Sequence, residues 1–260
     1  MTTAQGNFIW YELMTTDASA AEGFYSGLLG WTFDGDPHYR HITASEGMVG
    51  GLLPLTPEMT SGGARPAWVA YIDVADVDRT VATIEAQGGR VLMPARDMEN
   101  VGRMAMVTDP QGAPFYVMHP TPPADRPEEP SNAFAADRPM LGHCAWNELS
   151  SDDPTAAWTF YGGLFGWVKD GDMDMGELGK YEFIRHGNHM LGAIMPRMPQ
   201  MPVSAWSFYF RVADIDAAAG YIKANGGTLF MDPMEIPGGE FSINGSDPQG
   251  AAFGLVGPRR

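Results

Sequence analysis

The chain has 260 residues, 44% of them hydrophobic, enough for a buried core in one large or two ordinary domains. Sixteen Lys and Arg against thirty-two Asp and Glu leave a formal charge of −16, a surface that repels phosphate backbones and anionic lipid and argues against nucleic-acid and membrane partners. A single cysteine, Cys144, excludes an intrachain disulfide framework and any multi-cysteine metal site, and a buried small hydrophobe is the role expected of it. The opening MTTAQGNFIWYEL has no basic and apolar leader pattern, and no apolar run reaches a spanning length, so a soluble cytoplasmic protein is expected.

In chain order, Asn7–Met14 alternates apolar residues with Trp10 and Glu12, which predicts a strand with one face of special character. Thr16 or Asp17 then caps a helix through about Leu29, with Ala20, Phe24 and Leu28 at helical spacing and Gly30 as its stop. Short extended runs follow at Trp31–Phe33, Tyr39–Thr43 and Met48–Leu55. The order then restarts: Trp68–Val74 is a strand, Asp76 caps a helix ending at Gly88-Gly89, and Arg90–Met93, Arg103–Thr108 and Pro114–Met118 are extended. The module is therefore strand–helix–three strands.

The same passage returns later in the chain. IWYELMTTDASAAEGFYSGLLGW begins at Ile9, and AWNELSSDDPTAAWTFYGGLFGW begins at Ala145, a shift of 136. YRHI answers YEFI, MVGGLLP answers MLGAIMP, AWVAYIDVADVD answers AWSFYFRVADID, and DPQGAPF answers DPQGAAF. The shift moves from 136 to 142 and then to 138, as small loop insertions and deletions would produce. Between the copies, HPTPPADRPEEPSNAFAADRP is proline-rich and charged and reads as a linker. The expected layout is a domain over 1–120, a linker over 121–138 and a second domain over 139–260. One module alone would leave a sheet face bare, so the fold class expected is α+β, with four βαβββ modules pairing into two curved open β-barrels.

A capped helix with FYSGLLGW and a later TDPQG before a final strand, repeated in the second copy, resembles the vicinal oxygen chelate superfamily. This is the group of glyoxalase I, the extradiol dioxygenases and the fosfomycin and bleomycin resistance proteins. The resemblance covers the chain apart from linker and termini, and implies two tandem domains of that type. It also implies where a metal site belongs. Metal-dependent members place a His or Gln seven residues before the helix-capping Asp, a second ligand at the equivalent place in the next module, and a Glu seven residues beyond the Asp of the DP.G turn. Counting here reaches Trp10, Val69 and Tyr116 in copy one and Trp146, Ser207 and Gly254 in copy two. None of the six is a usual ligand for a divalent ion that wants imidazole or carboxylate, so no metal and no other cofactor is expected.

Side chains two apart on a strand share a face, which sets Glu12 beside Trp10, Tyr71 beside Val69, Glu148 beside Trp146 and Tyr209 beside Ser207. These ten positions are the candidate ligand-pocket residues. Two roles fit the indoles: a plug filling a disused cavity, or a wall offering an aromatic face to a planar or cationic ligand. The two glutamates fit a general base, a ligand acceptor or a structural partner. Because Gly254 stands against Tyr116 and Ser207 against Val69, more room is expected in the C-terminal copy provided no neighbour fills it.

Other features read as structural: His186 and His189 as exposed turn residues, Asp170–Glu177 as a solvated hairpin, and His143 and Cys144 as facing opposite ways. The function expected is metal-free binding of a small organic molecule, aromatic or cationic, by a monomer or homodimer. The alternatives left open are a glyoxalase-type lyase or isomerase or a dioxygenase with a non-standard metal site, and a cofactor-free enzyme using Glu148 or Glu12 as base.

Overall fold

A computed structural model describes residues 5–121, 131–135, 138–199 and 201–260. Most of the stretch read as a linker, 122–130 with 136 and 137, lies outside the described residues. Copy one contains strands β1 (Phe8–Thr15), β2 (Thr32–Asp36), β3 (Tyr39–Ala44), β4 (Gly47–Pro54), β5 (Ala67–Asp73), β6 (Arg90–Met98), β7 (Gly102–Thr108) and β8 (Pro114–Pro120). Its helices are α1 (Ala18–Leu29), α2 (Pro57–Ser61) and α3 (Val77–Ala86). Copy two contains β9 (Cys144–Ser151), β10 (Val168–Asp174), β11 (Lys180–His186), β12 (His189–Pro196), β13 (Ala205–Arg211), β14 (Thr228–Leu229), β15 (Met234–Glu235), β16 (Phe241–Ser246) and β17 (Ala252–Gly257). Its α-helices are α4 (Pro154–Phe165) and α5 (Ile215–Ala224).

The expected helix caps are present. Asp17, Asp76, Asp153 and Asp214 each accept a backbone N–H from the first turn of their helix, and Gly30 closes α1 in the left-handed region at φ 70°. The short helix α2, which no periodicity signals, starts on Thr56 and Pro57. In the fourth module the first of three expected strands is broken into β14 and β15, with Pro233 between the two pieces.

The architecture is α+β with two curved sheets that stay open. One has the strand order β2-β3-β4-β1-β5-β8-β7-β6, and the other β10-β11-β12-β9-β13-β17-β16-β14 with β15 on β16. Within each module the first strand joins the last in parallel, as β1 with β4 and β9 with β12. No helix among the described residues is long and apolar enough to cross a membrane.

Packing groups the chain into two compact units that cut across the sequence copies. The first comprises Met1–Ile9, Ala70–Ser131 and Asn147–Trp206, and the second Trp10–Val69, Asn132–Trp146 and Ser207–Arg260. Each unit thus combines one module from each copy. The shared motifs meet inside these units. In the first, Trp206 Nε1 donates to Tyr161 Oη (3.1 Å), which donates to Asp109 Oδ2 (3.1 Å), while the Tyr161 ring stacks on Trp167 at 5.5 Å. In the second, Trp68 Nε1 donates to Tyr25 Oη (2.9 Å), which donates to Asp247 Oδ2 (3.2 Å), and Tyr25 stacks on Trp31 at 5.5 Å. Burial raises the pKa of both tyrosines, so each keeps the proton that it donates to its aspartate.

Asp73 ends β5 inside the first unit, 6% exposed, with its Oδ1 accepting Asn7 N–H at 2.7 Å. Burial pushes its carboxyl up to about 6 against the opposing effect of that amide. The raised value means that folding disfavours the charged form. The stabilising contribution of the neutral acid is full below the unfolded pKa near 4 and is lost as pH rises through about 6. Asp73→Asn keeps the acceptor without the charge. Urea titrations should show its stability matching wild type near pH 4 and exceeding it by up to about 3 kcal/mol near pH 7.5.

Candidate ligand site

On β1, within the second unit, Trp10 is half-buried and its Nε1 donates to Tyr39 Oη at 2.9 Å, with the edge of His41 6.2 Å from the indole. Glu12, two residues on, is 2% exposed and pairs with Gly51 in the β1–β4 ladder. A Cβ on Gly51 would stand 2.0 Å from Tyr39 Oη, so the tyrosine occupies space that only glycine leaves. In copy two, Ala193 pairs with Glu148, and its methyl rules out the same seat for Tyr181. The Tyr181 hydroxyl donates instead to Glu148 Oε2 at 2.8 Å within the first unit. A one-methyl difference therefore gives the two tyrosines different partners.

The remaining positions differ as well. In the first unit, buried Tyr71 and Tyr116 stack face to face, 4.1 Å between centroids and 6° between planes. In the second unit, Tyr209 lies across Gly254, where a Cβ would come within 2.4 Å of its ring. Asn244 Nδ2 donates to Tyr209 Oη at 3.0 Å and fixes the ring there. The space that Gly254 opens is thus taken by a neighbour, which removes that reason for expecting more room in copy two. Val69 is buried, and Trp146 and Ser207 are half-buried. Tyr39, Tyr181 and Asn244 escaped the sequence reading, although YRHI and YEFI had aligned the first two.

The donor set does not fit a divalent ion of the family type. The six ligand-register positions offer indole, aliphatic, phenol, hydroxyl and bare backbone groups, and among the described residues no three His, Cys, Asp or Glu gather as a metal would require. His186 and His189 pair across the β11–β12 turn and are half-buried rather than exposed, and burial lowers the His186 pKa. The turn itself, Gly187-Asn188, carries the exposure. β10 is exposed along its length, as a solvated hairpin should be. Cys144 is buried, its thiol pushed up to about 12 by desolvation, and its Sγ donates to Trp146 O while His143 Nδ1 contacts Asn132 O.

The sequence model of the Glyoxalase/Bleomycin resistance protein/Dioxygenase superfamily matches residues 7–117 and 140–255. The chain belongs to this superfamily. A Mycobacterium tuberculosis protein named "Putative glyoxylase CFP32" is 36% identical, over 98% of this chain and 95% of its own length. A Streptomyces peucetius relative, "Anthracycline biosynthesis protein DnrV", is 28% identical over 97% of this chain and 94% of its own. Among solved structures, a Mn(II)-bound glyoxalase from Novosphingobium aromaticivorans aligns with a TM-score of 0.65 at 16% identity, covering 99% of this chain and 84% of that one. Homoprotocatechuate 2,3-dioxygenase from Brevibacterium fuscum, in complex with 3,4-dihydroxyphenylacetate, aligns at 0.66 and 15% identity, covering 98% and 82%. At these identities the structures speak for the superfamily fold, which hosts unrelated chemistries.

Proposed function

We propose that this superfamily member binds a small aromatic or cationic organic molecule without a metal. The observation that carries the reading is the exchange at the ligand register: Trp10 stands where an imidazole or amide ligand would, two residues from the buried carboxylate of Glu12. An indole face attracts a planar cation, and a carboxylate beside it supplies the counter-charge. Trp146, Glu148, Ser207, Tyr209 and Gly254 are the equivalent sequence positions of copy two, and Val69, Tyr71 and Tyr116 are the remaining ones of copy one. The relative named for anthracycline biosynthesis makes anthracyclines the first compounds to try.

Calorimetric titration of the full chain with an anthracycline and with an aromatic quaternary ammonium compound tests this. Both are expected to release or absorb heat, and Trp10→Ala should weaken the cation by roughly 5- to 30-fold, the worth of about 1–2 kcal/mol of cation–π contact. Silence from both compounds, or a stoichiometric divalent ion retained through purification, overturns the proposal.

The Tyr181–Glu148 hydrogen bond favours one second reading, a cofactor-free enzyme with Glu148 as general base oriented by the phenol. If an activity is found, Glu148→Gln should lower turnover by at least about 100-fold. Unchanged turnover removes the residue from that role.

A further inference from the structure

Helices α3 and α4 flank a cleft of about 150 Å³ inside the first unit, lined by Arg79, Thr83, Gly163, Leu164 and Phe165 with Val74 beside them. The second unit contains the equivalent pairing of α5 with α1, in which Tyr221 stands for Thr83, Gly27 for Gly163 and Ala217 for Arg79. There the phenol of Tyr221 fills the place: a Cβ on Gly27 would lie 2.0 Å from its hydroxyl, and its ring is 5.9 Å from Phe24. In the first unit a Cβ on Gly163 meets nothing within 4 Å. One repeat thus carries an aromatic ring where the other, having a threonine, carries an opening of the size that holds benzene in an engineered cavity.

A second difference concerns charge. The Arg79 side chain makes no hydrogen bond or ion pair among the described residues, although acids outnumber basic residues two to one in the sequence. It sits in the first turn of α3, the end of a helix that favours an anion. The neighbouring Asp78 is already held by Arg103 through two bonds of 2.7 and 2.8 Å. The far wall is the last turn of α4, whose carbonyls repel an anion but suit the positive edge of an aromatic ring.

We propose that the α3–α4 cleft binds a small planar aromatic carboxylate, its ring over Gly163 in the manner of the Tyr221 phenol and its carboxylate on the Arg79 guanidinium. The geometry matches the preference of guanidinium for planar, bidentate oxygen pairs. The ligand is of opposite charge to the cation proposed for Trp10, and none of the residues involved belongs to that site, so the two proposals stand or fall separately.

Amide chemical shifts of the full chain, titrated with benzoate and with the neutral benzyl alcohol, provide the test. Benzoate is expected to bind with a dissociation constant of about 1 mM or tighter and to shift the amides of Thr80, Thr83 and Leu164. Thr83→Tyr, which imitates the filled repeat, should abolish those shifts. Arg79→Gln, an exposed substitution that leaves the fold intact, should weaken benzoate by at least about 5-fold and leave the weaker benzyl alcohol binding unchanged. No shifts near 10 mM benzoate, shifts that persist in a folded Thr83→Tyr, or equal affinity for the alcohol and the acid each overturn the assignment.

Discussion

Gly192→Ala is expected to destabilise the chain by at least about 4 kcal/mol. Gly192 sits opposite Asn147 in the parallel β9–β12 ladder, and a Cβ added there would lie 1.6 Å from the Asn147 carbonyl oxygen and 2.6 Å from its carbon. Those are backbone atoms, so no rotamer change relieves the overlap. Asn147 is also anchored by its own side chain, whose Nδ2 donates to Leu191 O at 2.7 Å. The strands must part, losing ladder hydrogen bonds worth about 1 kcal/mol each as well as the packing on both faces, a total of at least about 4 kcal/mol. That is a large share of the roughly 5–15 kcal/mol that holds a domain together. Gly50, whose Cβ would stand 1.9 Å from Tyr11 O, carries the same constraint in copy one. Gly220→Ala is the control. It is exposed on α5 with no atom within 4 Å of an added Cβ, and should stabilise by about 0.5–1 kcal/mol. Thermal melts followed by circular dichroism check both, and a Gly192→Ala protein melting within a few degrees of wild type would show that the β9–β12 register is wrong.

Asp109→Ala is expected to cost about 3–5 kcal/mol. The Asp109 Oδ1 accepts the N–H groups of Gln111 and Ala113, both at 2.9 Å, and its Oδ2 accepts the Tyr161 hydroxyl. Alanine leaves three donors of the first unit without their acceptor, two of them buried, and with Tyr161 unanchored the Trp206 indole loses a fixed acceptor. Asp109→Asn preserves the Oδ1 contacts but turns an amide N–H₂ toward the phenol, so it should cost less, about 1–2 kcal/mol. Asp247→Ala removes the same set from the second unit, where Gln249 N and Ala251 N take the places of Gln111 N and Ala113 N. Chemical denaturation of the four proteins separates the cases. Equal loss from Asp109→Ala and Asp109→Asn would place the effect in the charge rather than in the accepted hydrogen bonds.

These two substitutions also mark what local pattern conveys. Caps and periodicity encode elements because a capping Asp serves an N–H three residues away and an alternating strand serves its own two faces, all within a few residues. The ladder positions of Trp10 and Glu12 were equally legible, since they follow from counting along a strand. The broken edge strand and α2 were not, because prolines and a short Thr-Pro start override the periodic signal there. Tyr209 could not be placed either: whether its ring fills the space above Gly254 depends on Asn244, 35 residues away, and not on its own strand.

Sequence alone determined the duplication, the strand–helix–three-strand module and the superfamily. Tertiary structure alone decided that each repeated Tyr meets the Asp of the other copy, Tyr25 with Asp247 and Tyr161 with Asp109, and that Thr83 leaves open what Tyr221 closes. The division has a physical cause. Backbone geometry and capping are satisfied by near neighbours, whereas a buried hydroxyl, carboxylate or ring takes whichever distant partner completes its hydrogen bonds and fills the volume beside it.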